Sequence, residues 1–166
     1  MYHKENCGTY PEYPLSGRIR LAYEWLPDRP VNLLDGGCAW GYGTRFFAVK
    51  SRSSFGVDSN ENYIDVARNR YPEIDFRTCR LEETPFESEF FDCIVLNDVI
   101  EHVPEEKHVL NEIHRILRPG GILIITAPHR GLFSFLDTDN YGFYLRTFSA
   151  GAFMPASPGS EKPHFP

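Results

Sequence analysis

Two near-continuous apolar runs, residues 91–97 (Phe-Asp-Cys-Ile-Val-Leu-Asn) and residues 122–127 (Ile-Leu-Ile-Ile-Thr-Ala), restrict the fold of this chain more than any other feature. A strand with one face in water alternates apolar and polar side chains. Runs that do not alternate belong to strands covered on both faces, as in a parallel sheet. Between the runs lies the clearest amphipathic pattern in the chain. Val109, Leu110, Ile113, Ile116 and Leu117 fall on one helical face, and Glu105, Glu106, Glu112, Arg115 and Arg118 fill the other. Pro104 is expected to open this helix, and Pro119-Gly120-Gly121 to end it before the second run.

The same alternation continues upstream. A helix is expected over residues 16–26, capped by Ser16, with Ile19, Tyr23 and Leu26 on one face. Residues 31–35 read as a strand entered through Pro30 and closed by Gly36-Gly37, followed by a helix over about residues 42–50. A second strand (54–58) leads to a helix capped by Asn60, striped by Ile64, Val66 and Ala67 and stopped by Tyr71-Pro72; a short strand (74–78) follows. The expected fold is α/β, a Rossmann-like doubly wound parallel sheet with flanking helices in one domain over residues 1–150. Residues 151–166, rich in Pro, Ser and Gly, are expected to form an irregular tail.

Composition narrows the function. The chain has 166 residues, is 42% hydrophobic and carries a formal charge of −6 without a Lys/Arg run, so it can bury one core and is not expected to bind nucleic acid. No apolar stretch approaches the ~20 residues of a membrane span, and the N-terminus lacks a signal-peptide core. Cys7, Cys38, Cys79 and Cys93 show no CxxC spacing, which points to reduced thiols in a cytoplasmic protein rather than a zinc site.

The chemistry concentrates after the first strand, in Asp35-Gly36-Gly37-Cys38-Ala39-Trp40-Gly41. Small residues there let a ligand approach the backbone. The phosphate-loop pattern is excluded, because no Gly-Lys-Ser/Thr follows. GxGxxG also fits badly: counted from Gly37, Ala39 and Tyr42 stand where glycines are wanted. An acid beside the turn would repel a pyrophosphate and suits a ligand with an ammonium or sulfonium centre, S-adenosylmethionine rather than NAD. Asp58 closes the next strand, where a carboxylate can accept both ribose hydroxyls of an adenosine. The alternative role for Asp58 and Ser59 is to cap the helix that follows.

These residues resemble the class I S-adenosylmethionine-dependent methyltransferases, in the broad group that includes the ubiquinone/menaquinone-biosynthesis methyltransferases. Four stretches carry the likeness, in order, over about residues 30–130: Leu33 to Gly41; Gly56-Val57-Asp58; Phe90 to Val95 with Glu101-His102-Val103; and Leu117-Arg118-Pro119-Gly120-Gly121. The resemblance implies S-adenosyl-L-methionine as cofactor and a small-molecule methyl acceptor. Asp35, Gly36, Gly37, Cys38, Ala39 and Gly41 would then cradle the methionine end. Asp58 with Ser59 would hold the ribose, Leu81 and Glu82 would border the adenine, and Asn97 would lend its carbonyl to the amino group.

The chain departs from that pattern in three places. Ala39 replaces the middle glycine, and Arg80 stands where an acid often meets the adenine. The C-terminal strands of the family are expected to be missing, which leaves residues 122–127 at a sheet edge that the aromatic segment 141–148 or a second copy would cover. Methyl transfer needs alignment above all, and a base only when the acceptor must lose a proton. His102 and His129, after the fourth and fifth strands, are the candidate bases, since an imidazole ordinarily titrates near ~6.5. Asp98, Glu101 and His102 also form a possible divalent-metal set, although acids at a helix start give the same spacing. Trp40 is expected to pack beneath the turn and Cys38 to fill space. Aromatics between Phe133 and Phe148 would replace missing core or form a lid. A cofactor-binding module without catalysis and an NAD-dependent oxidoreductase are the alternative functions.

Overall fold

The structure is a computed structural model that describes residues 17–126, with the backbone of residues 128–129 and 142–143. In chain order the elements are α1 (Gly17–Trp25), β1 (Asn32–Gly36), α2 (Tyr42–Phe47), β2 (Ser53–Asp58), α3 (Glu61–Arg70), β3 (Asp75–Thr78) and β4 (Phe91–Asn97). A 3₁₀ turn (Ile100–His102), α4 (Glu106–Ile116), β5 (Leu117–Thr126), β6 (Pro128–His129) and β7 (Gly142–Phe143) follow. The five long strands form one parallel sheet in the order β3-β2-β1-β4-β5. From β1 the chain builds outward through β2 and β3, then crosses to the other side for β4 and β5. The order therefore reverses between β1 and β4, which opens a crevice at their carboxyl ends.

Burial explains why the strand runs do not alternate. Leu33, Cys93, Val95 and Ile124 point to one face, under Ala22 and Leu26 of the α1 region and Phe47 of α2. Leu34, Ile94, Leu96, Leu123 and Ile125 point to the other, under Val109, Ile113 and Ile116 of α4. Between β3 and β4 the chain forms turns rather than a helix, and aromatic rings cover that part of the sheet. Phe55, Phe86 and Phe91 meet edge to face at 4.8–5.7 Å, with the Arg77 guanidinium 4.8 Å from the Phe86 ring centre.

Several boundaries differ from expectation. The helix after β1 stops at Phe47, and Val66 on α3 is exposed while Ile64 and Ala67 carry the buried stripe. The last long helix starts at Glu106 and ends at Ile116, before Pro119-Gly120-Gly121. Those three residues lie within β5, in an irregularity where pairing passes from Phe91↔Leu117 to Cys93↔Ile122. An edge strand tolerates proline because it has an unpaired side, and Gly120 takes φ +80°. Arg118 ties the bulge to Asp92 at 2.8 Å, and Asp92 also accepts the backbone N–H of Asn32 at the start of β1.

Ser16 as a helix cap, the aromatic lid and the tail lie outside the described residues. Of the segment 141–148, Gly142–Phe143 pair antiparallel with Pro128–His129, just beyond β5; no described strand flanks the outer edge of β5 itself.

Candidate functional site

Asp35 lies one residue before the end of β1, 4% exposed, between the sheet and α2. Its Oδ2 accepts a 2.6 Å hydrogen bond from the hydroxyl of Thr44, which is wholly buried on α2. Its Oδ1 has no hydrogen-bond partner among the described residues. Burial raises the Asp35 carboxyl to about 7. The Thr44 hydroxyl opposes that shift, and the charge of Asp58 adds to it.

The turn after Asp35 is anchored to β2 and closed by one bond of its own. The N–H groups of Gly37 and Cys38 both donate to the Val57 carbonyl, at 2.8 and 3.0 Å, and Gly41 N–H donates to Cys38 O at 2.9 Å. Gly37, Ala39 and Gly41 all adopt positive φ (+74°, +46° and +75°). A side chain at Gly37 would strike Val99, and one at Gly41 would come within 2.6 Å of Phe76. Glycine at these two positions is thus required by the positive φ and by the close packing of Val99 and Phe76 against the turn, and Ala39 bears the left-handed conformation that glycine takes more freely.

Asp58 joins the two strand tips. Its Oδ2 accepts the Ala39 N–H at 3.0 Å and its Oδ1 accepts the Asn60 N–H at 2.9 Å, while Asn60 caps α3 through Asn62 N–H. Asp58 thus braces the entry to α3, whose cap is Asn60 rather than Asp58 or Ser59, and sits against the turn with lone pairs to spare. Ser59 beside it is exposed.

Leu81 is buried, 3.0 Å from the place a Cβ on Gly36 would occupy, so it closes over the tip of β1. Glu82 pairs with Arg80 at 2.6 Å. This segment is pinned to α4 by Glu112, whose Oε1 accepts both the N–H and the hydroxyl of Thr84, at 2.9 and 2.7 Å. Asn97, at the end of β4, accepts the Thr126 hydroxyl at 2.8 Å.

Other expectations are corrected. Trp40 is 50% exposed and tilts against the Tyr63 ring at 4.8 Å; it does not pack beneath the turn, because Cys38 and Phe76 already occupy that space. Cys38, as expected, is a buried filler, its thiol pushed far above the usual range by burial and then by Asp35 and Asp58. The possible metal set is not gathered: Asp98 pairs with Arg18 of α1 at 2.6 Å, and the His102 side chain is 77% exposed, 4.0 Å from Glu101. Among the described residues no three acidic, His or Cys side chains group as a metal site. His129 is described only as backbone paired to Gly142.

Sequence patterns missed Thr44, Val99, Arg18 and Glu112. Only Thr44 left a local trace, as a hydroxyl at the start of a helix whose neighbours Phe46 and Phe47 are core. The other three act between segments far apart in the chain.

A family model described as a methyltransferase domain matches residues 34–125. A probable S-adenosylmethionine-dependent methyltransferase of Mycolicibacterium smegmatis is 35% identical over 136 residues, 80% of this chain and 53% of that protein. A ubiquinone biosynthesis O-methyltransferase of Coxiella burnetii is 28% identical over 138 residues, 80% of this chain and 59% of that protein. The chain spans about half the length of the curated relatives it matches. Among solved structures, the YcgJ protein of Bacillus subtilis aligns with a TM-score of 0.65 at 21% identity, over 72% of this chain and 54% of that one. At that identity the likeness concerns the fold.

Proposed function

The chain belongs to the S-adenosylmethionine-dependent methyltransferase family, and on that premise we propose that it binds S-adenosyl-L-methionine at the carboxyl ends of β1, β2 and β4 and methylates a small-molecule acceptor. The observation that carries this reading is Asp35: a buried carboxylate with one oxygen uncommitted, beside a turn whose backbone must stay bare. Such a group is expensive to bury unless a cation meets it. The ammonium and sulfonium of the cofactor are cations, whereas a pyrophosphate is not.

When bound, S-adenosylmethionine supplies a methyl group on a sulfonium. In this reading Asp35, with Gly36, Gly37, Cys38, Ala39 and Gly41, receives the methionine end. Asp58 beside Ser59 accepts the ribose hydroxyls while holding the Ala39 N–H. Leu81 and Glu82 border the adenine, with Asn97 opposite. His102, in the turn after β4, is the described candidate to take a proton from an acceptor, and His129 the second. Neither the family nor the relatives reported above are oxidoreductases, which sets aside the nicotinamide alternative.

Two further elements belong to the same reading. No described strand flanks the outer edge of β5, and a homodimer paired there is proposed, with no nucleic-acid partner. The three described cysteines are free, in keeping with a proposed cytoplasmic site of action. No helix among the described residues is long and apolar enough to cross a membrane.

Calorimetric titration tests the proposal. S-adenosylhomocysteine is expected to bind with unit stoichiometry and NAD to give no heat, and a panel of phenol, amine and carbon nucleophiles would identify the acceptor atom. Heat from NAD alone would overturn the reading. Cofactor binding without turnover on any acceptor would select the binding-module alternative.

A further inference from the structure

We infer that Thr44 is a positioning residue for the cofactor site: its hydroxyl holds Asp35 in the orientation and charge state that a cationic ligand needs. The inference rests on the proposed function and adds to it a residue that does not itself touch the ligand.

The geometry leaves few other devices for that task. Asp35 sits almost wholly out of water, and among the described residues the one side-chain hydrogen bond it makes is the 2.6 Å contact from Thr44. Among the described residues, the charges nearby are unhelpful or otherwise engaged. Asp58 on β2 repels a charge on Asp35, and the Cys38 thiol in the turn supplies no cation. β4 presents Val95 at the paired position. Arg45, the next residue on α2, reaches Glu73 at 3.6 Å instead. A hydroxyl donating to the carboxylate favours its ionised form and also selects one rotamer. With Oδ2 held, Oδ1 is the oxygen left to meet a ligand.

The consequence is proton-linked binding. Burial brings the Asp35 carboxyl to about 7, so near neutrality part of the free protein holds a proton there that a cationic ligand must displace to solvent. Without the hydroxyl, the carboxyl would titrate higher still.

The test follows the Asp35 side-chain carbon by NMR through a pH titration of the free protein, then measures affinity for S-adenosylhomocysteine from pH 5.5 to 9. Thr44→Val keeps the shape and removes the hydroxyl. It is expected to raise the Asp35 midpoint by about one unit and to weaken binding roughly five- to tenfold between pH 6 and 7, with the loss vanishing in alkali. Thr44→Ser is expected to restore the native midpoint. If the valine variant does not fold, Thr44→Ala gives the same readout. An unchanged midpoint, or a loss of affinity equal at every pH, would overturn the inference. Failure of the unaltered protein to bind S-adenosylhomocysteine would instead defeat the proposed function, and the carboxyl titration would still decide the role of Thr44.

Discussion

A carboxylate that is 4% exposed and bonded to one hydroxyl loses solvation when the chain folds, and no described cation compensates for it. The sign of the resulting pH dependence is fixed. The folded carboxyl, raised from 3.8 to about 7, keeps a proton that the unfolded chain releases across that window. Stability of the free protein contributed by Asp35 therefore falls as pH rises from about 4 to about 7. Asp35→Asn is expected to stabilise the cofactor-free protein at pH 8 by ~1 kcal/mol or more, a few degrees in Tm, with the gain gone near pH 4. Thermal unfolding followed by circular dichroism checks this, and destabilisation at pH 8 would mean that Asp35 is a structural group. Asp35-Gly36-Gly37 marked this acid as a candidate in the sequence, since an acid at a strand tip before small residues is a local signal. Its described hydrogen-bond partner was not legible there, because Thr44 reaches it only after α2 has folded back.

At the level of elements, α4 does more than cover the sheet. Glu112 links Thr84 to Arg115, whose guanidinium also donates to the Phe86 carbonyl, so the segment between β3 and β4 is fastened to a helix. The Arg115 guanidinium, against partial burial and with help from Thr84, holds the Glu112 carboxyl down to about 2. That contribution is complete above the usual 4.5 and is lost as pH falls toward 2. Glu112→Gln is expected to lower Tm at pH 7 by roughly 3–10 °C, a gap that closes in acid. An equal gap at pH 7 and pH 2.5 would contradict this. The strands and the Asn60 cap were readable because their signals are local: apolar runs between breakers, and a side chain capping its own helix. Pro119-Gly120-Gly121 misled for the same reason. It reads as a helix stop, yet α4 has already ended and the three residues bulge out of an edge strand. The Arg18–Asp98 pair joins residues far apart in the chain and leaves no periodic trace.

For the molecule as a whole, the strand order sets where chemistry is possible. Reversal between β1 and β4 opens the crevice, and β2 lies close enough for Asp58 to grip the same turn that Asp35 precedes. No described strand flanks the outer edge of β5, and that edge is expected to pair with a second copy. Sedimentation at increasing concentration should show a monomer–dimer equilibrium, weakened by a proline that removes a backbone donor on the outer edge of β5; a sharp monomer at every concentration would count against edge pairing. The central claim is that two carboxylates on adjacent strand tips hold opposite ends of one adenosyl amino acid. Titrating S-adenosylhomocysteine into the unaltered protein, Asp35→Asn and Asp58→Asn tests it most directly. Each substitution is expected to weaken binding by about tenfold or more, the scale of a hydrogen bond to a charged group. Undiminished affinity in both variants would contradict it.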